Sequence, residues 1–124
     1  MKIGILKRAI QETENSEHPY YGIGAVVFKG SRIFSSGHNS FRSSTIPDKY
    51  KRYPHTLHAE QCAINGLDWD QLKGSSILVV RISLQSGNIS MGFPCQYCYQ
   101  TIKHVGIKNI FYSNRKGEIV KKRV

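Results

Sequence analysis

The sequence predicts an α/β domain: a mixed sheet of five strands with helices flanking it, the last strand antiparallel to the fourth. Three observations predict it. Helical and strand periodicities alternate along the 124 residues in the order α-β-β-α-β-α-β-β. Residues 77–82 form a nearly continuous apolar run of strand length, as in a strand covered on both faces. Residues 77–82 and 108–113 are joined through a helical segment, and such a crossover makes its two strands parallel.

Each element has its own signal. In residues 2–14, Ile3, Leu6, Ala9 and Ile10 recur at helical spacing between Lys7, Arg8, Gln11 and Glu12, which reads as an amphipathic helix. Residues 22–28 are apolar and β-branched, Lys29-Gly30-Ser31 is a turn, and 32–36 is the return strand of a hairpin. A polar loop of about 20 residues follows, 37–56, a length that in a small domain is usually functional. It interleaves Arg42, Lys49, Lys51 and Arg52 with Tyr50 and Tyr53. Residues 57–67 have a helical pattern that stops near Gly66, and 68–74 connect to the apolar strand. Residues 84–93 read as a loop, 95–105 as a helix with Gly106 at its C-cap, and 108–113 as a strand. After the turn at 114–117, a short strand at 118–123 is too closely connected to be parallel to its predecessor.

The composition is that of one folded domain spanning 1–124, with 40% hydrophobic and 21% charged residues intermingled and no repeat or low-complexity tract. The formal charge of +10 favours anionic partners: nucleotides, nucleic acids or acidic lipid. No apolar run is long enough to span a bilayer and no secretory h-region opens the chain, so a cytoplasmic protein without a membrane partner is the default expectation. Three cysteines, an odd number, do not make a disulfide framework.

Chemistry concentrates in two segments, His58-Ala59-Glu60 and Pro94-Cys95-Gln96-Tyr97-Cys98, each opening a helix. Cysteines three apart on a first helical turn face the same way, and the helix start favours their thiolates. With one imidazole they make three of the four ligands of a zinc ion, leaving a position for water, as catalytic sites do. Glu60, two residues from the imidazole, is placed to move protons without being a ligand. His-x-Glu followed by Pro-Cys-x-x-Cys is the signature of zinc-dependent base deaminases. The expected set is therefore Glu60 as catalytic acid–base and His58, Cys95 and Cys98 as ligands of Zn2+, with Arg42, Lys49, Lys51 and Arg52 available to a substrate phosphate.

Over nearly its whole length the chain resembles the cytidine and deoxycytidylate deaminase superfamily, including small members found in phages and large viruses. The resemblance is carried by residues 53–64, from Tyr53-Pro54-His55 through His58-Ala59-Glu60 to Ile64, and by Phe93-Pro94-Cys95, Cys98, Ile102, Gly106-Ile107-Lys108 and Ile110. It implies a three-layer fold around a five-stranded sheet, homo-oligomerisation, and a substrate contact from Asn39 in Gly37-His38-Asn39. It also implies that the backbone N–H of Ala59 binds a cytosine carbonyl. Two departures narrow the expectation. Family members acting on deoxycytidylate or polynucleotide continue into further helix where this sequence turns into a strand. Nucleic-acid cytosine deaminases carry Ser-Trp-Ser where this chain has Met91-Gly92-Phe93.

The functional expectation is hydrolysis of a cytosine nucleoside or nucleotide to the uracil product and ammonia. Two alternatives use the same motifs: deamination of cytosine or adenine in single-stranded DNA, RNA or tRNA, and a non-catalytic zinc-bearing module that binds nucleic acid. Several residues have plainer readings. Cys62 reads as a small buried hydrophobe, Trp69 as packing in its connection, and His104 as a helix-end histidine. Phe93 reads as a base-stacking or a wall residue. Tyr97 and Tyr99 suit an interface or a pocket lining, and Lys121-Lys122-Arg123 a solvated tail. His38 and His55 flank the expected pocket.

Overall fold

The computed structural model describes residues 1–18, 20–40 and 58–124. Helix α1 (Ile3–Glu14) leads into strand β1 (Tyr21–Lys29), and a two-residue turn at Gly30 returns the chain as β2 (Arg32–His38). Helix α2 (Ala59–Ile64) and the single turn α3 (Trp69–Leu72) precede β3 (Ser76–Ser83). A two-residue strand β4 (Ile89–Ser90), helix α4 (Gln96–His104), β5 (Asn109–Ser113) and β6 (Ile119–Arg123) complete the chain.

The strand order is β2-β1-β3-β5-β6, with β4 alongside β3. β3 and β5 are parallel, and β6 runs antiparallel to β5, as the short connection requires. Alternation along β1 and β3 divides the core into two layers. Val26 and Phe28 of β1 and Leu78 and Val80 of β3 face α1, packing on Ile5 and Ala9. Ala25, Val27, Ile77 and Val79 face the other way, onto Ala59 and Ala63 of α2 and Ile102 of α4. The result is helix, sheet, helix, and it explains why residues 77–80 of β3 are uniformly apolar.

The structure departs from the sequence expectation at three places. β4 lies within the stretch expected to be loop. β5 pairs only with Ser76–Val79, so the outer end of β3 needs another partner, and the chain folds back to pair Arg81 with Ser90 and Ile82 with Ile89. α3 lies in the expected connection, started by Gln71 Oε1 accepting the Asp68 backbone N–H at 3.0 Å. Trp69, expected to pack, is 63% exposed and meets the edge of His104, with ring centroids 5.8 Å apart. The end of α4 matches expectation. Gly106 takes φ +88°, and the N–H groups of Gly106 and Ile107 return to Lys103 and Ile102 in a Schellman closure.

The close approach of α2 to β2 depends on Gly37. A Cβ there would lie 2.7 Å from the Ala63 nitrogen, 2.8 Å from Cys62 Cβ and 2.9 Å from the Ala59 oxygen. Gly37→Ala must push α2 off the sheet, and chemical denaturation is expected to show a loss of roughly 1–3 kcal/mol. Gly4, with nothing within 4 Å of its virtual Cβ, supplies the contrast: Gly4→Ala in α1 should raise stability by up to about 1 kcal/mol.

Candidate active site

The two helices on one face of the sheet begin at the same place. His58 stands at the N-cap of α2 with extended backbone (φ −76°, ψ 146°), and Cys95 stands at the N-cap of α4 in the same way (φ −66°, ψ 167°). No side-chain cap hydrogen bond is made at either N-terminus, although N-cap side chains commonly supply one. Both turn toward one point instead. His58 Nδ1 lies 3.3 Å from Cys98 Sγ and 3.7 Å from Cys95 Sγ. The three donor atoms fall within 4.8 Å of one another. A tetrahedral zinc ion with bonds of about 2.1 Å to nitrogen and about 2.3 Å to sulfur has a nitrogen–sulfur edge of about 3.6 Å. The observed separations bracket that edge, so the donor set and its geometry fit a zinc ion. Cys62, on the same helix as His58, is half-buried and stands outside this group.

The electrostatics of the trio point the same way. The Cys95 thiol is lowered to about 3, first by the hydrogen bond from Cys98 and further by His58, against the opposing effect of burial. Cys98 is pushed up, by that same hydrogen bond and by burial. The pair therefore holds one negative charge by itself, and a dication between the sulfurs would let both carry it. Glu60 is 4% exposed, and its Oε1 has no hydrogen-bond partner among the described residues. Burial raises its carboxyl above the usual range, with its own backbone N–H, His58 and Cys98 acting in opposition. A buried carboxyl oxygen without a partner among the described residues, next to three convergent metal-type donors, is placed to meet a ligand.

His58, Glu60 and Cys95 form part of the wall of a cavity of about 290 Å³. Tyr21, Ile23, Asn39, Val79 and Arg81 form the sheet side, and Met91, Gly92 and Phe93 a third side. Asn39 is 3% exposed, and its amide is held by β1: Oδ1 accepts the Ile23 N–H at 2.9 Å and Nδ2 donates to the Tyr21 carbonyl at 3.4 Å. Phe93 is fixed by ring contacts to Tyr99 (5.8 Å) and Tyr112 (4.9 Å). Ala59, fully buried, opens α2 beside His58.

Of the residues singled out from sequence, the structure brings together His58, Ala59, Glu60, Cys95, Cys98, Asn39 and Phe93. His38 is not among the cavity residues. As Asn39's chain neighbour it points to the other face of the sheet, where its Nδ1 lies 3.7 Å from Glu12 of α1. Tyr97 is exposed, whereas Tyr99 packs behind Phe93. Arg42, Lys49, Lys51, Arg52, Tyr50, Tyr53 and His55 lie outside the described residues. Arg81 and Tyr21 are cavity residues that sequence reasoning passed over. The signal for Arg81 was available, because it is the one charge inside the apolar run 77–82. Asn39→Ala should leave the Ile23 N–H without its acceptor and cost about 1–3 kcal/mol in a denaturation experiment.

Comparison with known proteins agrees with this architecture. Residues 2–114 match the family model described as the cytidine and deoxycytidylate deaminase zinc-binding region. A protein of Aliivibrio fischeri, described as an uncharacterized deaminase in the luxG 3′ region, is 32% identical over 101 residues; these cover 77% of this chain and 60% of the relative, so the chain matches rather less than two thirds of that protein's length. Among solved structures, cytidine deaminase from Burkholderia pseudomallei superposes with a TM-score of 0.68 at 19% identity, covering 99% of this chain and 92% of that one. The dCMP deaminase of cyanophage S-TIM5 in its apo form gives a TM-score of 0.60 at 23% identity, covering 93% and 86%. At these identities the structural likeness speaks for the fold. The family model, spanning most of the chain and both motif segments, speaks for more: this chain belongs to the cytidine and deoxycytidylate deaminases, a family of hydrolytic enzymes.

Proposed function

We propose that the chain is a zinc-dependent deaminase of a cytosine nucleoside or nucleotide, releasing ammonia and leaving the uracil product. The observation that carries this reading is Glu60: a buried carboxyl with an unpartnered oxygen, on the wall of an open cavity, beside His58, Cys95 and Cys98. A purely structural metal site has no use for such a carboxyl. A zinc ion held by those three residues would act as a Lewis acid and lower the pKa of water at its fourth position to about 7.

The chain's own groups supply the rest. Glu60 takes a proton from the attacking water as the new C4–O bond forms, and delivers it to the ring nitrogen N3. It then takes the remaining proton from the new C4 hydroxyl and passes it to the exocyclic amine; the C4–N bond breaks as the C4=O bond forms, and ammonia leaves. The raised carboxyl suits a group that must both accept and return protons. The backbone N–H of Ala59, in a first helical turn and so without an intrahelical acceptor, is assigned to the cytosine carbonyl. Asn39, held by β1 in one orientation, is assigned to the sugar or base, and Phe93 to the face of the ring. The volume of the cavity suits one small ligand rather than a larger one. A polynucleotide substrate draws support from the net charge alone.

Two experiments test the reading. Metal analysis of Cys95→Ala should show zinc lost, whereas Cys62→Ser should retain one zinc per chain; full zinc occupancy in Cys95→Ala would remove the metal assignment. Glu60→Gln keeps the size of the side chain and leaves the ligands untouched. Zinc content and melting temperature should stay near those of the parent, while ammonia release from cytidine, deoxycytidine or their monophosphates should fall by at least about a hundredfold. Near-normal turnover in Glu60→Gln would reject the proton-transfer role.

A further inference from the structure

Arg81 is the one Lys or Arg side chain in the cavity among the described residues, and the fold fixes it from several sides. In the sheet it is paired with Ile23 of β1 and Ser90 of β4. Its backbone N–H donates to the hydroxyl of Ser113, which is fully buried and donates in turn to the Ser90 carbonyl. Its guanidinium carbon lies 4.1 Å from the centroid of the Tyr21 ring, and that ring is backed by His18 at 3.9 Å. Arg81 is half-buried, and among the described residues no carboxylate lies within ion-pair distance of it. A guanidinium lying on an aromatic face keeps its fork of N–H donors available in its own plane, pre-organised for a planar or tetrahedral oxyanion. A partly desolvated cation with no internal counter-charge is better accommodated when a ligand brings that charge.

Its position along the cavity matters as well. Arg81 shares a face with Val79, two residues along β3 and so about 7 Å away. Exposure falls from Met91 at 38%, through half-buried Arg81 and Tyr21, to Glu60 at 4%. Glu60 thus lies in an enclosed part of the cavity and Arg81, paired with Ser90 beside the exposed Met91, in a more open part, with the apolar side chains of Ile23 and Val79 also on the wall. We propose that Arg81, seated on Tyr21, binds the phosphate of a nucleoside monophosphate whose base lies against Glu60, so that the preferred substrate class is the monophosphate rather than the free nucleoside. This assignment rests on the deaminase reading above. A single phosphate accounts for one isolated guanidinium in a cavity of this volume, whereas a polynucleotide would call for a row of cations along a groove.

The test compares the zinc-loaded parent with Arg81→Gln and Arg81→Lys, using ammonia release from cytidine, deoxycytidine and their 5′-monophosphates. It adds calorimetric binding of uridine and uridine 5′-monophosphate, which requires no turnover. The parent is expected to favour the monophosphates. In Arg81→Gln the ratio of kcat/KM for monophosphate to that for nucleoside should fall roughly 10- to 100-fold, mainly through KM. Binding of uridine 5′-monophosphate should weaken by a similar factor, and Arg81→Lys should recover part of both. An unchanged ratio in Arg81→Gln with unchanged uridine 5′-monophosphate binding would overturn the proposal. So would an equal loss on nucleoside and monophosphate, which marks Arg81 as wall packing. A parent that releases ammonia from none of these compounds defeats the deaminase reading instead, and the binding comparison then decides the role of Arg81 by itself. Zinc content and melting temperature of each variant separate these results from misfolding.

Discussion

The site depends on one geometric constraint: two helices that are distant in sequence must start at the same point above the sheet. His58 caps α2 and Cys95 caps α4, and the nitrogen and sulfurs approach to 3.3–3.7 Å only because both N-termini arrive together. Each helix is fixed independently. α2 lies against β2 where Gly37 offers no side chain, and its buried face, Ala59 and Ala63, is small enough for close contact. α4 is fixed by the parallel crossover from β3 to β5, by Ile102 in the core and by the glycine closure at its end. A slip of one residue in α4 would turn Cys98 by about 100° around the helix axis and take it out of the group. The architecture therefore serves the site by register more than by bulk stability.

Much of this was legible in the sequence because the relevant signals are local. Cap residues, a Cys-x-x-Cys on a first turn, Gly106 after an amphipathic run and a four-residue link between the last two strands all act within a few positions. What the sequence did not reveal comes from longer-range needs. β4 has almost no strand signal of its own; it forms because the outer half of β3 extends past the end of β5 and its backbone groups need partners. His38 and Asn39 are equally polar neighbours, and only the pleat sends Asn39 into the cavity and His38 to α1. Trp69 read as packing because large aromatics usually are, but the turn at α3 leaves it outside, against a histidine edge.

Arg81 is the instructive omission. Within an apolar strand a single charge is easily averaged away, since the strand assignment stands with or without it. The structure gives it a physical context: the inner end of the strand is covered on both faces, and toward its outer end the face carrying Val79 and Arg81 lines the cavity. Arginine is tolerated there because its stem continues the wall while its head lies on the Tyr21 ring. A charge that breaks an apolar run thus marks the place where packing stops and the cavity begins.

The cavity also has an internal order that follows from where its polar groups sit. One side carries groups able to transfer protons and bind a cation, Glu60, His58 and Cys95, all held on helix starts rather than on loops. Its wall also carries Ile23, Val79 and the Phe93 ring, with Asn39 as a polar group whose amide is locked by the β1 backbone. On the sheet side stands a guanidinium, a planar fork of N–H donors suited to an oxyanion. Flat apolar walls between two polar regions select a flat ring with a polar edge and a second polar group some distance away. Because Asn39 and Arg81 are both held by the β1–β3 part of the sheet, while Glu60 and the cysteines belong to the helices, the alignment of a bound molecule is governed by how the helices dock on the sheet. That docking is where Gly37, far from any proton transfer itself, acquires its influence on the chemistry: the helix it admits carries both the imidazole and the carboxyl.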